Sequence, residues 1–294
     1  MNYGLDNFVL DPPLSQFVSL LLLISMDAIG ISFVKIIGIN INVNNWLRWQ
    51  APVIGTSVLS VLLYPMALMG IAGLNNFRLI ALGLIVVSII HIGNNLRLCD
   101  WKYKQVLSLH QIIFWCLLVG YLFLALLPIT NADSLDYHVG VALHVLNTGA
   151  MPVIPEWFHS KIAGSGDVLN ALGFSIGAEQ FGSLLQFSGL LAIAGILLYF
   201  SRNTNRDHDD WGYFIAITGL SSPVLIFLVS SVKPQILPIA LTTCALALLG
   251  FTFISEKNNR AFAKKIYMLI CLLVMVASQM KFNYLLGGGT VGLV

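Results

Sequence analysis

The stretch Asn131-Ala-Asp133-Ser-Leu-Asp136-Tyr137-His138 sets two carboxylates, a phenol and an imidazole beside one another, directly after an apolar run of about 107–129. Carboxylates and imidazoles are the side chains that exchange protons with reacting groups near neutral pH. At the mouth of a membrane helix they are costly to keep unless they meet water, an ion or a substrate. Past Pro152 and Pro155 come Glu156, Trp157, His159 and Lys161, then Ala163-Gly-Ser-Gly166 and Asp167. Histidine and acid pairs of this kind can hold a divalent ion, but no HxH or HxxxH spacing is present, so no metal or other cofactor is assigned. Cys99, Cys116, Cys244 and Cys271 fall in or beside apolar runs without CxxC spacing and read as buried thiols.

The elements that position these residues belong to a membrane. Apolar residues make up 57% of the chain and charged residues 10%, against roughly 25% charged in soluble domains. A formal charge of +2 gives no basis for a nucleic-acid partner. Hydropathy predicts an all-α polytopic bundle of about eight spans, near 14–35, 52–73, 78–95, 107–129, 181–201, 211–231, 235–254 and 265–283. Lys35 and Arg48, then Arg97, Lys102 and Lys104, then Arg202 and Arg206, then Lys257, Arg260, Lys264 and Lys265 mark four loops of one side. The positive-inside rule makes that side cytoplasmic and puts the N-terminus, with Asp6 and Asp11, outside. Trp46, Trp49, Trp101 and Trp211 sit at expected span ends as interface anchors. The chain stops in Gly287-Gly-Gly-Thr-Val-Gly-Leu-Val294, which reads as the start of a further membrane segment cut short.

With this sidedness the loop 131–165 is extracytoplasmic, and Lys233 and Lys281 return to the same face. Two lysines beside carboxylates suit an anionic lipid headgroup such as a phosphate, although snorkelling explains either lysine alone. Residues 134–147 predict a short helix, with Asp133 as N-cap, Asp136 completing a capping-box arrangement, and Asn147-Thr-Gly149 and Pro152 ending it. At about 100° per residue, Asp136, Tyr137, Gly140, His144 and Asn147 gather on one side. Leu135, Val139, Ala142, Leu143, Val145 and Leu146 take the other, which makes an interfacial amphipathic helix. His138 projects onto the apolar side as a packing histidine, whereas His144 faces the cavity. A second short helix is expected at about 167–178. Asp27, in the middle of the first span, is either a functional carboxylate or a bundle contact with a polar neighbour, and the second reading is preferred.

The order of a span, Asp133-Ser-Leu-Asp136-Tyr137-His138 and a helix ending in Asn147-Thr-Gly149 resembles the GT-C class of membrane glycosyltransferases. It is most similar to bacterial relatives of the protein mannosyltransferase and lipid A aminoarabinose transferase group. Gly164-Ser-Gly-Asp167-Val-Leu, Ser221-Ser-Pro223 with Lys233-Pro234, and Lys281-Phe-Asn-Tyr284 continue the likeness. The resemblance implies a core at 106–294 with outer loop 130–180, and an extension of three spans at 1–105. It implies a polyprenyl-phosphate sugar donor, a glycan or lipid acceptor, and an inner (plasma) membrane location. Asp133 maps to the catalytic base and Asp136 to a supporting acid. Tyr137, His138, His144, Lys161, Asp167, Lys233 and Lys281 are then the substrate-binding residues. One departure stands out: where relatives often carry an Asp before the seventh span, this chain has Lys233-Pro-Gln235. A transporter or flippase for lipid-linked glycans, and an inactive truncated relative, are the competing readings.

Overall fold

The computed structural model describes residues 8–39, 45–98, 108–204, 209–255, 260–285 and 289. Asp6, Cys99, Trp101, Lys102, Lys104, Arg206, Lys257 and the chain end at 290–294 lie outside the described residues, as do the side chains of Arg97, Arg202 and Arg260. The orientation expected from those charges rests largely on them.

The described residues are helical, with no strand among them. The helices are α1 (Leu14–Ile36), α2 (Asn45–Leu68), α3 (Leu74–Leu98), α4 (Leu109–Ala125), α5 (Gly140–Thr148), α6 (Ser165–Ser175), α7 (Phe181–Thr204), α8 (Asp209–Leu220), α9 (Pro223–Val229), α10 (Ile236–Ser255) and α11 (Arg260–Met280). Five of them, α1, α2, α3, α7 and α11, are long and apolar enough to cross a membrane, and α8 with α9 makes a sixth if the bent pair is one span. The sequence predicts a single span over 211–231; the chain instead turns by 69° between α8 and α9. Pro223 causes this: Ser222 before it is extended, and proline, lacking an N–H, suits the first position of a new helix.

The distribution of polarity is that of a protein in lipid. Outward positions are large and apolar, among them Leu79, Leu82, Ile89 and Ile90 on α3 and Ile113, Val119 and Phe123 on α4. Small polar residues turn inward: Ser15, Ser19, Ser57, Ser60, Ser183 and Ser188 are buried. Several of these hydroxyls donate back to their own helix, Ser19 to Ser15 O (2.7 Å) and Ser57 to Val53 O (2.9 Å). Where lipid removes the hydrophobic drive between helices, small residues let backbones approach closely. α1 and α2 meet this way: a Cβ on Gly30 would lie 1.8 Å from Ala51 O, and one on Gly55 1.8 Å from Met26 O. α1–α3 share one hydrophobic core with α5–α7, α10 and α11, so these three helices are built into the same bundle as the rest. α4, α8 and α9 pack on α7 through a second cluster centred on Phe114, Tyr121, Leu184 and Leu220.

The two helices of the loop 130–180 depart from expectation. The segment does not lie on the surface as an amphipathic helix. Val141–Leu146 are buried on every side, and all of α6 is buried between its neighbours. Asp133 makes no side-chain capping bond; the Ser134 N–H donates instead to Asn131 Oδ1 at 3.3 Å. Residues Ser134–Val139 form a π-helical turn. Its wider i→i+5 turn advances each residue by a smaller angle than an α-helix does. Tyr137 is therefore buried beside His138 and not exposed beside Asp136.

The glycine contacts give a direct test. Gly55→Leu forces α1 and α2 apart and lowers stability by at least about 1–3 kcal/mol. Gly83→Ala, at a position with nothing within 4 Å of the new Cβ, stays within about 0.5 kcal/mol of wild type. Thermal unfolding of both variants in one detergent checks the difference.

Candidate functional site

Three irregular pieces meet at one end of the bundle: the loop 129–164, the segment Ser231–Gln235 between α9 and α10, and Lys281–Tyr284 after α11. Irregular backbone inside an apolar bundle needs partners for each N–H and C=O, and specific side chains supply them. Tyr121 OH donates to Leu220 O (2.5 Å) at the α8 end, and Asn170 Nδ2 donates to Val232 O (3.1 Å). Gln186 Oε1 accepts from both Gln235 N and Leu237 N at 3.1 Å, closing the N-terminus of α10. Ser134 and Ser231 share a hydroxyl hydrogen bond of 2.8 Å that ties the π turn to this segment. Glu179 Oε1 accepts from Ile129 N (2.8 Å) and anchors the start of the loop.

Glycines let the pieces close on one another. A Cβ on Gly164 would lie 2.5 Å from Met280 O, and one on Gly166 2.7 Å from the Pro234 ring. The Gly164-Ser-Gly166 pattern therefore brings the N-terminus of α6 against both lysine-bearing segments at once.

Lys233 Nζ donates to Asp133 Oδ2 at 2.6 Å, with the lysine side chain 24% and the aspartate 53% exposed. The hydrogen bond from Lys233 is the main reason that the Asp133 carboxyl is held below its ordinary pKa, with burial opposing and the Lys233, His138 and His159 charges assisting. An ion pair this exposed contributes at most about 1 kcal/mol to stability. Its meaning is electrostatic: it keeps Asp133 ionised and faces a cation toward it. Lys281 is partly buried and has no side-chain partner among the described residues. Its pKa is pulled down by burial and by Lys233, against the upward pull of Asp167 and Asp133. The four groups therefore form one electrostatic neighbourhood.

Asp167 lies deeper. Its Oδ1 accepts from His138 Nδ1 at 2.6 Å and its Oδ2 from Gly164 N at 2.9 Å, so it also caps α6. Both side chains of this pair are 1% exposed. The Tyr137 ring stacks on His138 with centroids 3.9 Å apart, and His159 stacks on Tyr137 at 4.6 Å. Tyr137 OH donates to Ile162 O (2.8 Å), and burial drives its pKa upward, ahead of the nearby Asp167 and Asp133 charges.

Of the residues singled out from the sequence, the structure brings together Asp133, Tyr137, His138, Asp167, Lys233 and Lys281. Asp136 and Lys161 are exposed at the edge, without side-chain partners among the described residues. His144, expected to face the cavity, is instead buried in α5 with its ring 6.4 Å from Trp157, and burial lowers its pKa. His159, one of the ionisable groups noted in the loop, and Ser231 complete the arrangement; Ser231 does not stand out in the sequence, because it falls on no regular helical face. Asp27 is remote from this end. It pairs with Arg48 through both carboxylate oxygens, one contact being 2.8 Å, and lies 3.1 Å from His91 Nε2. These are the polar neighbours that the bundle-contact reading requires. Among the described residues no group of three His, Cys, Asp or Glu side chains is placed to hold a metal ion.

The chain belongs to the DUF1420 N-terminal domain family, whose model matches residues 1–114 and 101–294. Comparison with curated proteins and with solved structures gives no match.

The pairing of Asp133 predicts a titration. With its folded pKa lowered, the contribution of the pair to stability is fully present above the unfolded carboxyl pKa and fades as pH falls through the lowered folded value. Carbon-13 NMR of the Asp133 carboxyl in Lys233→Gln shows the titration moving upward, toward the ordinary aspartate range. An unmoved midpoint would remove the ion pair as its cause.

Proposed function

We propose that this chain is a GT-C-type glycosyltransferase of the bacterial inner (plasma) membrane. It takes a sugar from a polyprenyl-phosphate donor on the extracytoplasmic face and passes it to a glycan or lipid acceptor in cell-surface glycan synthesis. The supporting observation is the meeting of Asp133, Lys233 and Lys281 at one end of an apolar bundle, on segments far apart in sequence. In this reading α4, α10 and the bent α8–α9 pair are spans as well, giving eight passes with the N-terminus outside.

The chemistry follows from the charges. The acceptor hydroxyl oxygen attacks the anomeric carbon, its proton passes to the Asp133 carboxylate, and the bond from that carbon to the lipid phosphate breaks. The phosphate leaves with the electron pair, and Lys233 and Lys281 neutralise it. Holding the partly buried Lys281 charged without a counter-ion in contact is unfavourable, so an arriving phosphate is its natural partner. The same arrival draws Lys233 away from Asp133 and makes that carboxylate a stronger base when the donor is in place. Asp136, exposed beside the pair, supports the acceptor end.

The break between α8 and α9 favours a second reading, a transporter or flippase for lipid-linked glycans, because discontinuous helices line substrate sites in such proteins. Reconstituted vesicles with a lipid-linked sugar on one leaflet distinguish the two. The enzyme forms a new glycosidic bond, whereas a flippase moves the unaltered lipid.

Two outcomes are expected. In membranes given a polyprenyl-phosphate sugar and an acceptor, Asp133→Asn slows transfer by roughly a hundredfold or more, and Asp136→Asn slows it less. Lys233→Gln and Lys281→Gln weaken donor binding with the fold retained. Wild-type rates in Asp133→Asn would remove it as the base. The second outcome concerns sidedness: a cysteine in Lys161→Cys reacts with a membrane-impermeant thiol reagent in intact cells. Labelling only after permeabilisation reverses the topology and withdraws the extracytoplasmic site.

A further inference from the structure

The His138–Asp167 pair ends in an atom with nothing to bind. Asp167 holds the imidazole through Nδ1, and its second oxygen is fixed by the Gly164 N–H, so the ring cannot rotate without giving up its bond to an anchored carboxylate. Nε2 is buried and has no hydrogen-bond partner. The same is true of His159 Nδ1, on the far side of the Tyr137 ring, and of Ser165 Oγ, in the first turn of the helix that Asp167 caps. His138 Nε2 and His159 Nδ1, two of the nine such side-chain atoms among the described residues, thus belong to the rings on the two faces of Tyr137. An unmet buried polar atom costs about 1–3 kcal/mol, and such a group calls for a specific occupant.

The two ring nitrogens also limit what that occupant can be. A ring nitrogen donates or accepts according to its protonation. A phosphate oxygen only accepts and an ammonium only donates; a hydroxyl satisfies either state of each atom. The buried Asp167 carboxylate beside the site disfavours an anion. Trp157 adds an aromatic wall, edge-on to His159 and 3.5 Å from where a Cβ of Gly140 would stand.

We propose that His138 and His159 form a subsite that reads the hydroxyls of a sugar ring. His138 is locked in register by Asp167, and the segment 154–163 lifts to admit the sugar. Assigning this sugar to the donor rests on the transferase reading. The phosphate then lies on the lysines and the ring beside them, since Gly164, whose N–H holds Asp167, packs on Met280, the residue before Lys281. That segment is held over the stack by ring contacts and the Tyr137 OH to Ile162 O bond, which local opening can release.

The test uses the full chain in lipid nanodiscs with nitrogen-15 histidine. Glucose, mannose, galactose and their deoxy analogues are titrated, with inorganic phosphate as a separate arm. The expected result is a saturable shift of the His138 Nε2 resonance with at least one hexose, weakened about tenfold or more by removing one particular hydroxyl. His138→Leu loses this binding, and His138→Gln, which keeps a donor and an acceptor, retains part of it. A resonance that ignores every sugar, or answers phosphate alone, overturns the proposal; the wild-type titration decides even if His138→Leu fails to fold. The two readings separate cleanly. Hexose binding without any transfer would sink the transferase and leave the hydroxyl subsite. Transfer with sugar selectivity unmoved in His138→Gln would sink the subsite alone.

Discussion

Asp167 is buried to 1% and yet spends both oxygens, one on the His138 ring and one on the Gly164 N–H. A carboxylate in that position has no water to fall back on, and removing one partner of a buried pair costs about 3–5 kcal/mol. The rest of the loop end follows from keeping it satisfied. His138 must be presented at a fixed height, which the π turn does. Gly164 must lie against the end of α11, which only a residue without a Cβ allows. Once those two contacts are set, Asp133 stands one turn before His138, and Lys281 and Lys233 stand on the segments against which Gly164 and Gly166 pack.

The second constraint is backbone satisfaction in an apolar surround. The chain leaves helix between Leu220 and Pro223 and again between Ser230 and Ile236, where lipid cannot substitute for water. Tyr121, Asn170, Gln186 and Ser231 take up the freed groups. Three of those four side chains project from other helices, so the lysine segment is positioned by the bundle as a whole. Lys233 reaches Asp133 across a hundred residues of sequence because that scaffold leaves it one direction to extend.

The sequence made the helices legible and their burial less so. Apolar runs near α1, α2, α3, α7 and α11 needed only length and composition. The break at Pro223 was present as a residue but hidden by an apolar run on either side. The loop helices were misread for a specific reason: a 100° projection assumes an α-helix, and Ser134–Val139 is not one. That shift put Tyr137 on the wrong side. His144 differs for another reason: the middle of α5, Val141–Leu146, is buried on every side, so its projected polar face does not open on solvent there. The cluster of Asp133, Lys233 and Lys281 was foreseeable from sidedness, whereas the bond from His138 to Asp167 was not. It joins a π turn to a helix cap through a loop bounded by prolines, and no period in the sequence encodes it.

The two aspartates of the loop show how position sorts chemically identical groups. Asp133 is half exposed and paired with a cation that it can release, so its charge is cheap to hold and its protonation can change without disturbing the fold. Asp167 is enclosed and doubly bonded, so its contacts are bound up with the packing of α6 itself. A group meant to gain and lose a proton belongs at the first kind of site, and a group meant to orient another belongs at the second. Substitution at Asp133 therefore tests the proposed chemistry with little change to the fold, whereas substitution at Asp167 reports on architecture first. The intermediate position of His138, enclosed but with one nitrogen unspent, makes it the residue through which the architecture meets whatever enters the site.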